Sequence, residues 1–360
     1  MAQYYRNYAD RKKKKSPLQR VLFYLLLIAL GVSGTMLYRL YNVIFAANVW
    51  VKQGGYDYIC IPSQSTYNNL KVLLFEKGFI ADHKSFEWLA ARRGLEESFQ
   101  PGRYKINDGI SNLSLIRILS SGAQEPVKLI FNNIRTKEQF AGRIAQQLET
   151  DSLALLRNLN NDSLLAKYGL NTYTALSLFI PNTYEMWWTT DTSAFFERMA
   201  RENEKFWNQE RLEKAEKSGM NKVEVIILAS IVDQESNKND EKSRIAGVYI
   251  NRLKSGWPLQ ADPTLKFAAN DFGLRRILNI HKEINSPYNT YQSTGLPPGP
   301  ICIPSIASID AVLNYEQHHY FFFCARDDLS GYHNFAATSE QHIINAEKYR
   351  RALNQMKIYK

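Results

Sequence analysis

The sequence predicts an α+β protein in which a single N-terminal transmembrane helix precedes two folded regions, a small one and a larger, helix-rich one. An uncharged apolar run covers residues 21–38, and a strand–helix–helix–strand–helix pattern covers 56–123. Helical periodicity then dominates from about residue 137. A chain of 360 residues is long enough for about two domains.

The membrane anchor is predicted over residues 21–41. Its first eighteen residues contain no charge, which is long enough to span the hydrocarbon core. A cleaved signal peptide would have a shorter apolar stretch, and a buried globular helix would not usually follow a run of lysines. Because lysines and arginines beside a span stay in the cytoplasm, the preceding RKKKKSPLQR makes residues 1–20 a cytoplasmic tail. We therefore expect the protein in the cytoplasmic membrane, with its folded part outside, in the periplasm of a Gram-negative cell.

The charge distribution argues against a nucleic-acid-binding protein, and the cysteines argue against a disulfide scaffold or a CxxC metal site. The net charge of +10 is concentrated near the N-terminus, since residues 1–39 hold eight of the 45 basic residues and one of the 35 acidic ones. The rest is nearly neutral and has no zinc-finger spacing, so a nucleic-acid partner is not expected. Cys60, Cys302 and Cys324 allow at most one disulfide and form no CxxC site. We expect them to be small buried side chains.

No cofactor or metal is predicted. His318 and His319 are adjacent and His333 lies fourteen residues on, but there is no HExxH motif, and adjacent strand positions point to opposite faces. The sequence also has no GxSxG, P-loop or GxGxxG motif. Acyl hydrolases and nucleotide-dependent enzymes therefore have no support.

The small region, 56–123, is predicted to be a βααβα unit. A strand at its start leads through a polar turn into an amphipathic helix, and a second helix covers SFEWLAARRG. PGRYKI then has the pattern of a turn and a strand. The last helix, SNLSLIRILSSG, should end at Gly122.

The larger region, 125–360, should begin with the strand VKLIF and continue mostly as helix. A long charge-dense helix is predicted over 190–219. The stretch VEVIILASIVDQES (223–236) is apolar on nearly every face, which predicts a buried helix whose end opens into a cleft. Pro/Gly-rich loops, an aromatic strand (HYFFFCA), the segment YHNFAAT and a basic helix follow.

Glu235 is the strongest candidate for acid–base chemistry. On a helix, residues two apart lie about 200° around the axis, so Asp233 and Glu235 cannot face one cleft. Glu235 lines up instead with Ile231 and Leu228. Apolar neighbours and the partial negative charge of a helix C-terminus should both raise its pKa, as a general acid at neutral pH requires. A buried glutamate with a structural hydrogen bond remains an equal alternative on the residues alone.

Three segments, in this order and spacing, carry a family resemblance: ASIVDQES, NRLKSGWPLQADPTLKFA and NTYQSTGLPPGPICIPS. Together they resemble the MltG (YceG-like) family of endolytic murein transglycosylases. The resemblance covers essentially the whole chain and implies an anchor, a LysM-like unit over 56–123 and a catalytic domain over 125–360. The chain departs from the family at Asp233, where relatives usually have Glu, and at FNNIRT, where many have an IPEG-like turn.

The resemblance implies that Glu235 is the catalytic acid and base. Its protonated form would donate to the MurNAc–GlcNAc glycosidic oxygen of a nascent peptidoglycan strand. Its carboxylate would then take the proton from the C6 hydroxyl of the same MurNAc, leaving a 1,6-anhydro end and terminating glycan elongation. No metal or cofactor is needed, and peptidoglycan synthases are candidate protein partners.

Eight further positions are candidates for substrate binding: Ser236, Asn251, Gln260, Asp262, Thr264, Asn289, Tyr291 and Thr294. Glu235 and Ser236 are similar to the Glu-Ser pair of other lytic transglycosylases. Asp262 has a strong structural alternative, as the N-cap of a helix that starts with Pro263. Asn251 and Arg252 would equally suit a solvated helix end, and loop packing would explain the candidates in 289–294 as well.

Two other functions remain open from the sequence. A catalytically silent, membrane-anchored wall-binding or scaffold protein would bind glycan through the LysM-like unit, but it would be expected to have lost the Glu235 carboxylate. An ordinary hydrolase that uses water would need a second carboxylate in the cleft.

Overall fold

The computed structural model describes residues 16–52, 54–274 and 277–355. The chain divides after Glu125 into two compact units. Within the described ranges the strands form three separate two-stranded antiparallel sheets, and helices make up most of the remaining regular structure. The predicted mixed, helix-rich α+β class is therefore confirmed.

The first helix, α1, spans Pro17–Phe45 and includes the whole predicted anchor. At 1.5 Å per residue its 29 residues extend about 43 Å, which exceeds the hydrocarbon thickness of a bilayer. The helix begins with a capping box between Ser16 and Gln19, and none of its residues is buried by protein. It is long and apolar enough to cross a membrane, as a single-pass anchor requires.

The first unit has the βααβα order predicted for it, with one extra turn of helix before the second strand. The two strands pair from Tyr56↔Asn107 to Ile61↔Gly102, and Gly122 ends the last helix in a left-handed conformation, as expected. After α1 the elements are β1 (Tyr56–Ile61), α2 (Tyr67–Glu76), α3 (His83–Arg92), α4 (Leu95–Ser98), β2 (Gly102–Asn107) and α5 (Asn112–Ser121).

The end of α1 is part of this unit. Val43 and Ile44 pack against its hydrophobic core. The backbone carbonyl of Val43 also accepts a hydrogen bond from the buried Asn112 side chain at 3.0 Å. The apolar helix is therefore continuous with the folded unit that follows it.

The second unit contains two small sheets and most of the helices. Its elements are β3 (Val127–Ile130), α6 (Lys137–Ala145), α7 (Ser152–Leu159), α8 (Asp162–Leu165), β4 (Thr183–Met186), α9 (Thr192–Phe206), α10 (Gln209–Ser218), α11 (Lys222–Glu235), α12 (Asn239–Lys254), α13 (Asp262–Ala268), α14 (Asn279–Lys282), α15 (Ile306–Leu313), β5 (Phe322–Ala325), β6 (His333–Ala336) and α16 (Ser339–Gln355). The aromatic strand and YHNFAAT pair as β5 and β6, and the chain ends in the expected helix.

Two predictions for this unit were wrong. The strand β4 was not anticipated, although it pairs with β3 along four residues. The single helix predicted over 190–219 is two helices, because Trp207 leaves the helical conformation and packs into the core while Asn208 caps α10.

Helix α11 is the central element of the second unit. Eight consecutive residues, Val225–Val232, are buried, as the apolar sequence predicted. Helices α10, α12, α13 and α15 pack around it. Because a helix enclosed on all sides cannot shift without disrupting close packing, its C-terminal residue is held in a fixed place.

Candidate active site

The C-terminal end of α11 presents Glu235 at the edge of the core. The helix starts with a capping box between Asn221 and Glu224 and ends where Ser236 adopts an extended backbone. Ser236 is buried, and its Oγ accepts a hydrogen bond from the Lys238 backbone N–H at 3.0 Å. Both ends of the helix are thus fixed by local hydrogen bonds.

Glu235 lines a cavity of about 450 Å³, a volume typical of small-ligand sites. The walls come from α11, α12, α13, the loops beside α13, the β5–β6 hairpin and α16. The lining residues are Glu235, Tyr249, Arg252, Leu259, Gln260, Asp262, Tyr291, Phe322, Phe323, Cys324, Ala325, His333, His342 and Tyr349. The cavity therefore brings together four residues selected from sequence: Glu235, Gln260, Asp262 and Tyr291.

The pKa of Glu235 is raised to about 7. The main cause is burial, because the carboxyl keeps only partial exposure through the cavity and is otherwise enclosed by protein. The hydrogen bond from Tyr249 lowers this pKa, the charge of Asp262 raises it, and the charges of Lys266 and Arg252 lower it. The predicted direction is confirmed, and the group can both give and take a proton at neutral pH.

Tyr249 and Arg252 on α12 flank the carboxyl. The Tyr249 hydroxyl donates a hydrogen bond to Glu235 Oε1 at 2.5 Å, and burial raises its pKa well above the usual value, so it remains a donor. Arg252 is only 8% exposed, and its guanidinium donates to the carbonyls of Phe321 and Leu259, each at 2.7 Å. The solvated helix end considered for Arg252 is therefore wrong.

Asp262 is a second carboxylate in the same cavity. Helix α13 begins at Asp262 itself, with Ala261 as its N-cap and no side-chain capping bond. The predicted N-cap role is wrong, because the Asp262 carboxylate accepts a hydrogen bond from the Tyr291 hydroxyl at 2.6 Å. Its side chain thus belongs to the cavity wall. Gln260, just before it, takes a left-handed backbone (φ +49°) that few residues other than glycine adopt.

Asp233 is held apart from the cavity. It accepts hydrogen bonds from the hydroxyls of Ser305 and Ser308 and forms an ion pair with Lys242 at 3.0 Å. Burial opposes its ionisation, but these hydrogen bonds and the lysine charge hold the pKa of Asp233 below its usual value. The expectation that Asp233 and Glu235 face different surroundings is confirmed.

Five predicted binding residues are absent from the cavity lining: Ser236, Asn251, Thr264, Asn289 and Thr294. Thr264 and Asn289 are fully buried. Thr264 donates to the Ala261 carbonyl and shares a hydrogen bond with Thr290. Asn289 donates to the carbonyl of Lys282, at the end of α14, and to that of Ile284. These contacts fix the loops that carry Gln260 and Tyr291.

Asn251 and Thr294 also make framework contacts. The Asn251 amide donates to the carbonyls of His318 and Tyr320, which fixes the approach to β5. Thr294 is exposed and forms an isolated β-bridge with Pro258. For all five residues outside the cavity lining, a part in substrate binding stays a prediction.

Sequence reasoning missed Tyr249 and Arg252 as cavity residues, and it considered His333 only as a pocket or surface histidine. A usable signal existed for the first two, because they lie three apart in VYINRL and so share one face of an amphipathic helix. His333 offered no local signal. It enters the cavity from β6, and its Nδ1 lies 3.1 Å from Glu241 Oε2, a contact between distant parts of the sequence.

Possible metal ligands do not cluster in the part of the chain that the structure describes, where no group of three or more His, Cys, Asp or Glu could hold an ion. His318 Nε2 instead lies 2.9 Å from the Arg244 carbonyl oxygen. All three cysteines are free thiols. Cys302 is buried as expected, whereas Cys60 and Cys324 are half-buried.

The sequence profile of the YceG-like family matches residues 59–348, most of the chain. The chain belongs to the YceG-like family. The resemblance seen in its motifs is thereby confirmed, and the matched stretch includes every cavity residue except Tyr349.

Three known proteins are similar to this YceG-like chain. The endolytic murein transglycosylase of Bacillus subtilis (strain 168) is 28% identical over 82% of this chain and 86% of its own length. That of Streptococcus pneumoniae serotype 2 is 25% identical, and the match covers 82% of this chain but only 58% of the longer relative. The crystal structure of a yceG-like protein of Listeria monocytogenes superposes with a TM-score of 0.56 at 24% identity, covering 81% of this chain and 98% of that one, and shows a common fold.

Proposed function

We propose that this YceG-like chain is an endolytic murein transglycosylase. It would cut the MurNAc–GlcNAc bond within nascent peptidoglycan strands, leave 1,6-anhydro-MurNAc ends and so terminate glycan elongation. The observation that carries the proposal is Glu235, a carboxyl with a pKa of about 7 at the end of a buried helix, facing a cavity. The names of the Bacillus and Streptococcus relatives support the same activity.

In the first step Glu235 acts as the acid. Its protonated carboxyl donates to the glycosidic oxygen, the C1–O bond of MurNAc breaks, and the GlcNAc side leaves with that proton. Positive charge develops at C1 of the MurNAc ring as the bond lengthens. The Asp262 carboxylate, fixed by Tyr291, would stabilise this charge electrostatically.

In the second step the same group acts as the base. Glu235, now ionised, takes the proton of the MurNAc C6 hydroxyl while its oxygen bonds to C1 and closes the anhydro ring. The carboxyl is thus protonated again, and no water is consumed. Tyr249 keeps Glu235 oriented through both steps, because its hydroxyl can donate to the carboxyl in either state.

Substrate recognition would depend on the remaining cavity walls. Gln260 and Arg252 offer polar hydrogens to sugar hydroxyls and acetamido groups, and Phe322 offers an apolar face to a sugar ring. Tyr291 has both a polar hydroxyl and an apolar ring face.

An ordinary hydrolase is a second candidate, because Asp262 supplies the second carboxylate that the sequence argument required. It would act as the base for a water molecule. No observation on the described residues favours a silent scaffold, since the carboxylate is present and its pKa suits catalysis.

Digestion of peptidoglycan by the detergent-solubilised full chain, followed by mass analysis, tests the proposal. We expect products whose MurNAc ends are lighter by one water than those of a hydrolase, and none from Glu235→Gln. Reducing ends in place of anhydro ends would favour the hydrolase, and a lack of products from correctly folded protein would contradict both.

The organisation of the chain belongs to the same proposal. Residues 1–20 would lie in the cytoplasm, 21–41 in the cytoplasmic membrane, and 56–123 would form a LysM-like glycan-binding unit before the catalytic domain, 125–360. Peptidoglycan synthases would be the natural protein partners, because they make the strands that this enzyme cuts.

A further inference from the structure

A second cavity in the catalytic unit, which we call the Trp187 groove, shares no lining residue with the cavity of Glu235. It has a volume of about 390 Å³ and lies between the end of β4 and one face of α9. The side at the end of β4 consists of Pro126, Glu185, Met186, Trp187 and Thr190, and α9 contributes Ala194, Arg198 and Arg201. Two arginines and one glutamate leave the lining with a net positive charge.

The walls of the Trp187 groove are part of the rigid fold. Ala194, Arg198 and Arg201 recur at the i, i+4 and i+7 positions of α9 and therefore share one face. On the other side of the helix, Phe196 and Met199 are almost completely buried in the core.

The groove combines an aromatic platform with a free cation. Trp187 is 54% exposed, and an exposed indole face can stack on the apolar face of a sugar ring. Arg198 is bonded through Nε to Glu202 at 2.9 Å. Among the described residues, Arg201 has no ion pair or side-chain hydrogen bond, so its planar guanidinium can hold a carboxylate through two parallel hydrogen bonds.

We propose that the Trp187 groove is a second glycan-binding site, which holds the strand at a point away from the bond that is cut. The ligand chemistry is an amino-sugar ring stacked on Trp187, with a carboxylate attached to that sugar bound by Arg201. The proposal rests on the proposed function, which supplies such a strand. Peptidoglycan carries suitable carboxylates on its stem peptides, or on the lactyl group of MurNAc where the stem is removed.

Kinetics on two substrates test the second site. The full chain in detergent is given long glycan strands, or an oligosaccharide just long enough to fill the cavity of Glu235. We expect Trp187→Ala and Arg201→Ala to raise KM for long strands roughly five- to tenfold with kcat unchanged, because a central aromatic or arginine contact typically contributes more than about 1 kcal/mol. KM for the short substrate should not change, and Trp187→Phe should recover most of the loss.

The matched control is Arg157→Ala, an exposed arginine at the end of α7 that lines neither cavity. If Trp187→Ala and Arg201→Ala give the same KM on long strands as this control, the second site is wrong. Strands with intact stems, compared with strands stripped by an amidase, tell which carboxylate Arg201 binds. The proposed function fails separately, if the wild-type chain cuts neither substrate.

A membrane-facing role for Trp187 is the competing outcome. In proteoliposomes containing brominated phosphatidylglycerol, the difference in fluorescence quenching between wild type and Trp187→Phe reports contact of this one indole with lipid. Strong quenching of Trp187 would overturn the glycan assignment. Absence of quenching, together with fluorescence changes when long strands are added to Glu235→Gln protein, would support it.

Discussion

At the scale of single residues, the chemistry depends on how one carboxyl is balanced between burial and hydrogen bonding. Burial alone would keep Glu235 protonated and useless as a base, whereas the Tyr249 hydroxyl and the charge of Arg252 favour ionisation. The resulting pKa of about 7 suits the proposed mechanism, in which Glu235 is the acid in one step and the base in the next.

We expect Glu235→Gln to abolish anhydro-product formation. Gln nearly preserves the shape but cannot donate or accept the proton, and positioned acid–base catalysis contributes typically 10²–10⁴-fold, so the rate should fall by on the order of 10² or more. Mass analysis of digested glycan measures the loss. Near-normal activity in a folded Gln variant would refute the assignment of Glu235.

The thermal stability of Glu235→Gln shows whether this variant is folded, and its dependence on pH tests the raised pKa of Glu235. The Glu235 pKa is raised in the folded state from 4.5 to about 7, so its contribution to stability is fully present below pH 4.5 and is lost as the pH rises through 7. Gln does not titrate. Glu235→Gln should therefore unfold at a higher temperature than wild type at pH 8, a comparison that thermal denaturation can make directly.

Tyr249→Phe should move the pH profile. The hydrogen bond from Tyr249 lowers the pKa of Glu235, so its removal should raise that pKa and shift the alkaline limb of kcat/KM to higher pH. At pH 6 the rate should fall by less than about tenfold, the value of one hydrogen bond. The control is Tyr288→Phe, a tyrosine in the same unit outside the cavity, and an alkaline limb that stays in place would contradict the role of Tyr249.

Residue-level prediction from sequence succeeded where the signal was local. Glu235 ends a run of apolar residues, and that pattern alone places it at the edge of a core. Arg252 and Asp262 were misjudged because their partners, the carbonyl of Phe321 and the hydroxyl of Tyr291, lie 69 and 29 residues away. Asn289 was selected as a polar loop residue and Thr264 as part of a helix start, but their polar groups form buried hydrogen bonds that fix the neighbouring loops.

At the scale of elements, α11 separates two carboxylates by their position on one helix. Glu235 faces the cavity, whereas Asp233 meets α15 through Ser308 and α12 through Lys242. Burial raises the pKa of Glu235 to about 7, whereas the hydrogen bonds and the lysine partner of Asp233 keep that carboxylate ionised. In the proposed mechanism, the same helix therefore carries one reactive and one structural carboxylate.

We expect Asp233→Asn to destabilise the second unit while retaining much of the activity. Removing one charge leaves the nearly buried Lys242 unpaired, which typically costs about 3–5 kcal/mol. The unfolding midpoint in urea should fall, and the specific activity of the folded fraction at low temperature should stay within about tenfold of wild type. Glu216→Gln, at an exposed position on α10 in the same unit, is the matched control. A stable but inactive Asp233→Asn protein would place Asp233 in the catalytic site.

Prediction of whole elements failed where pairing or capping overrode the local pattern. The strand β4 is only four residues long, and it exists because β3 offers it a partner. The long charge-dense segment looked like one helix, because only the buried Trp207 and the cap at Asn208 interrupt it. The long buried helix α11 was predicted well, because an apolar pattern that persists over many residues is a strong signal.

At the scale of the whole molecule, the chain joins an apolar helix to two units that each have their own core. The second unit contains the complete cavity of Glu235. We therefore expect catalysis to reside in the second unit and the first unit to serve substrate holding.

Deletion of residues 56–123 should weaken activity on polymeric glycan while the chemical step persists. Loss of a second binding module lowers the effective concentration of substrate, so KM for long strands should rise on the order of tenfold or more with kcat nearly unchanged. Thermal denaturation monitored by circular dichroism should show that the second unit still unfolds cooperatively. An unchanged KM would mean that 56–123 is not a substrate-holding unit.

The topology of the anchor decides whether the enzyme can reach its substrate. The basic run that includes Lys12, Lys13, Lys14 and Lys15 should hold the N-terminus in the cytoplasm, because lysines beside a short span resist translocation. An alkaline phosphatase fused after Lys360 should then be active, since that reporter folds only outside the cytoplasm. Replacing the four lysines with glutamine should reduce its activity, whereas the same change at Lys348 and Lys357 should not. A phosphatase that stays inactive in the unaltered chain would contradict this topology and the proposed function together, because the glycan strands lie on the other side of the membrane.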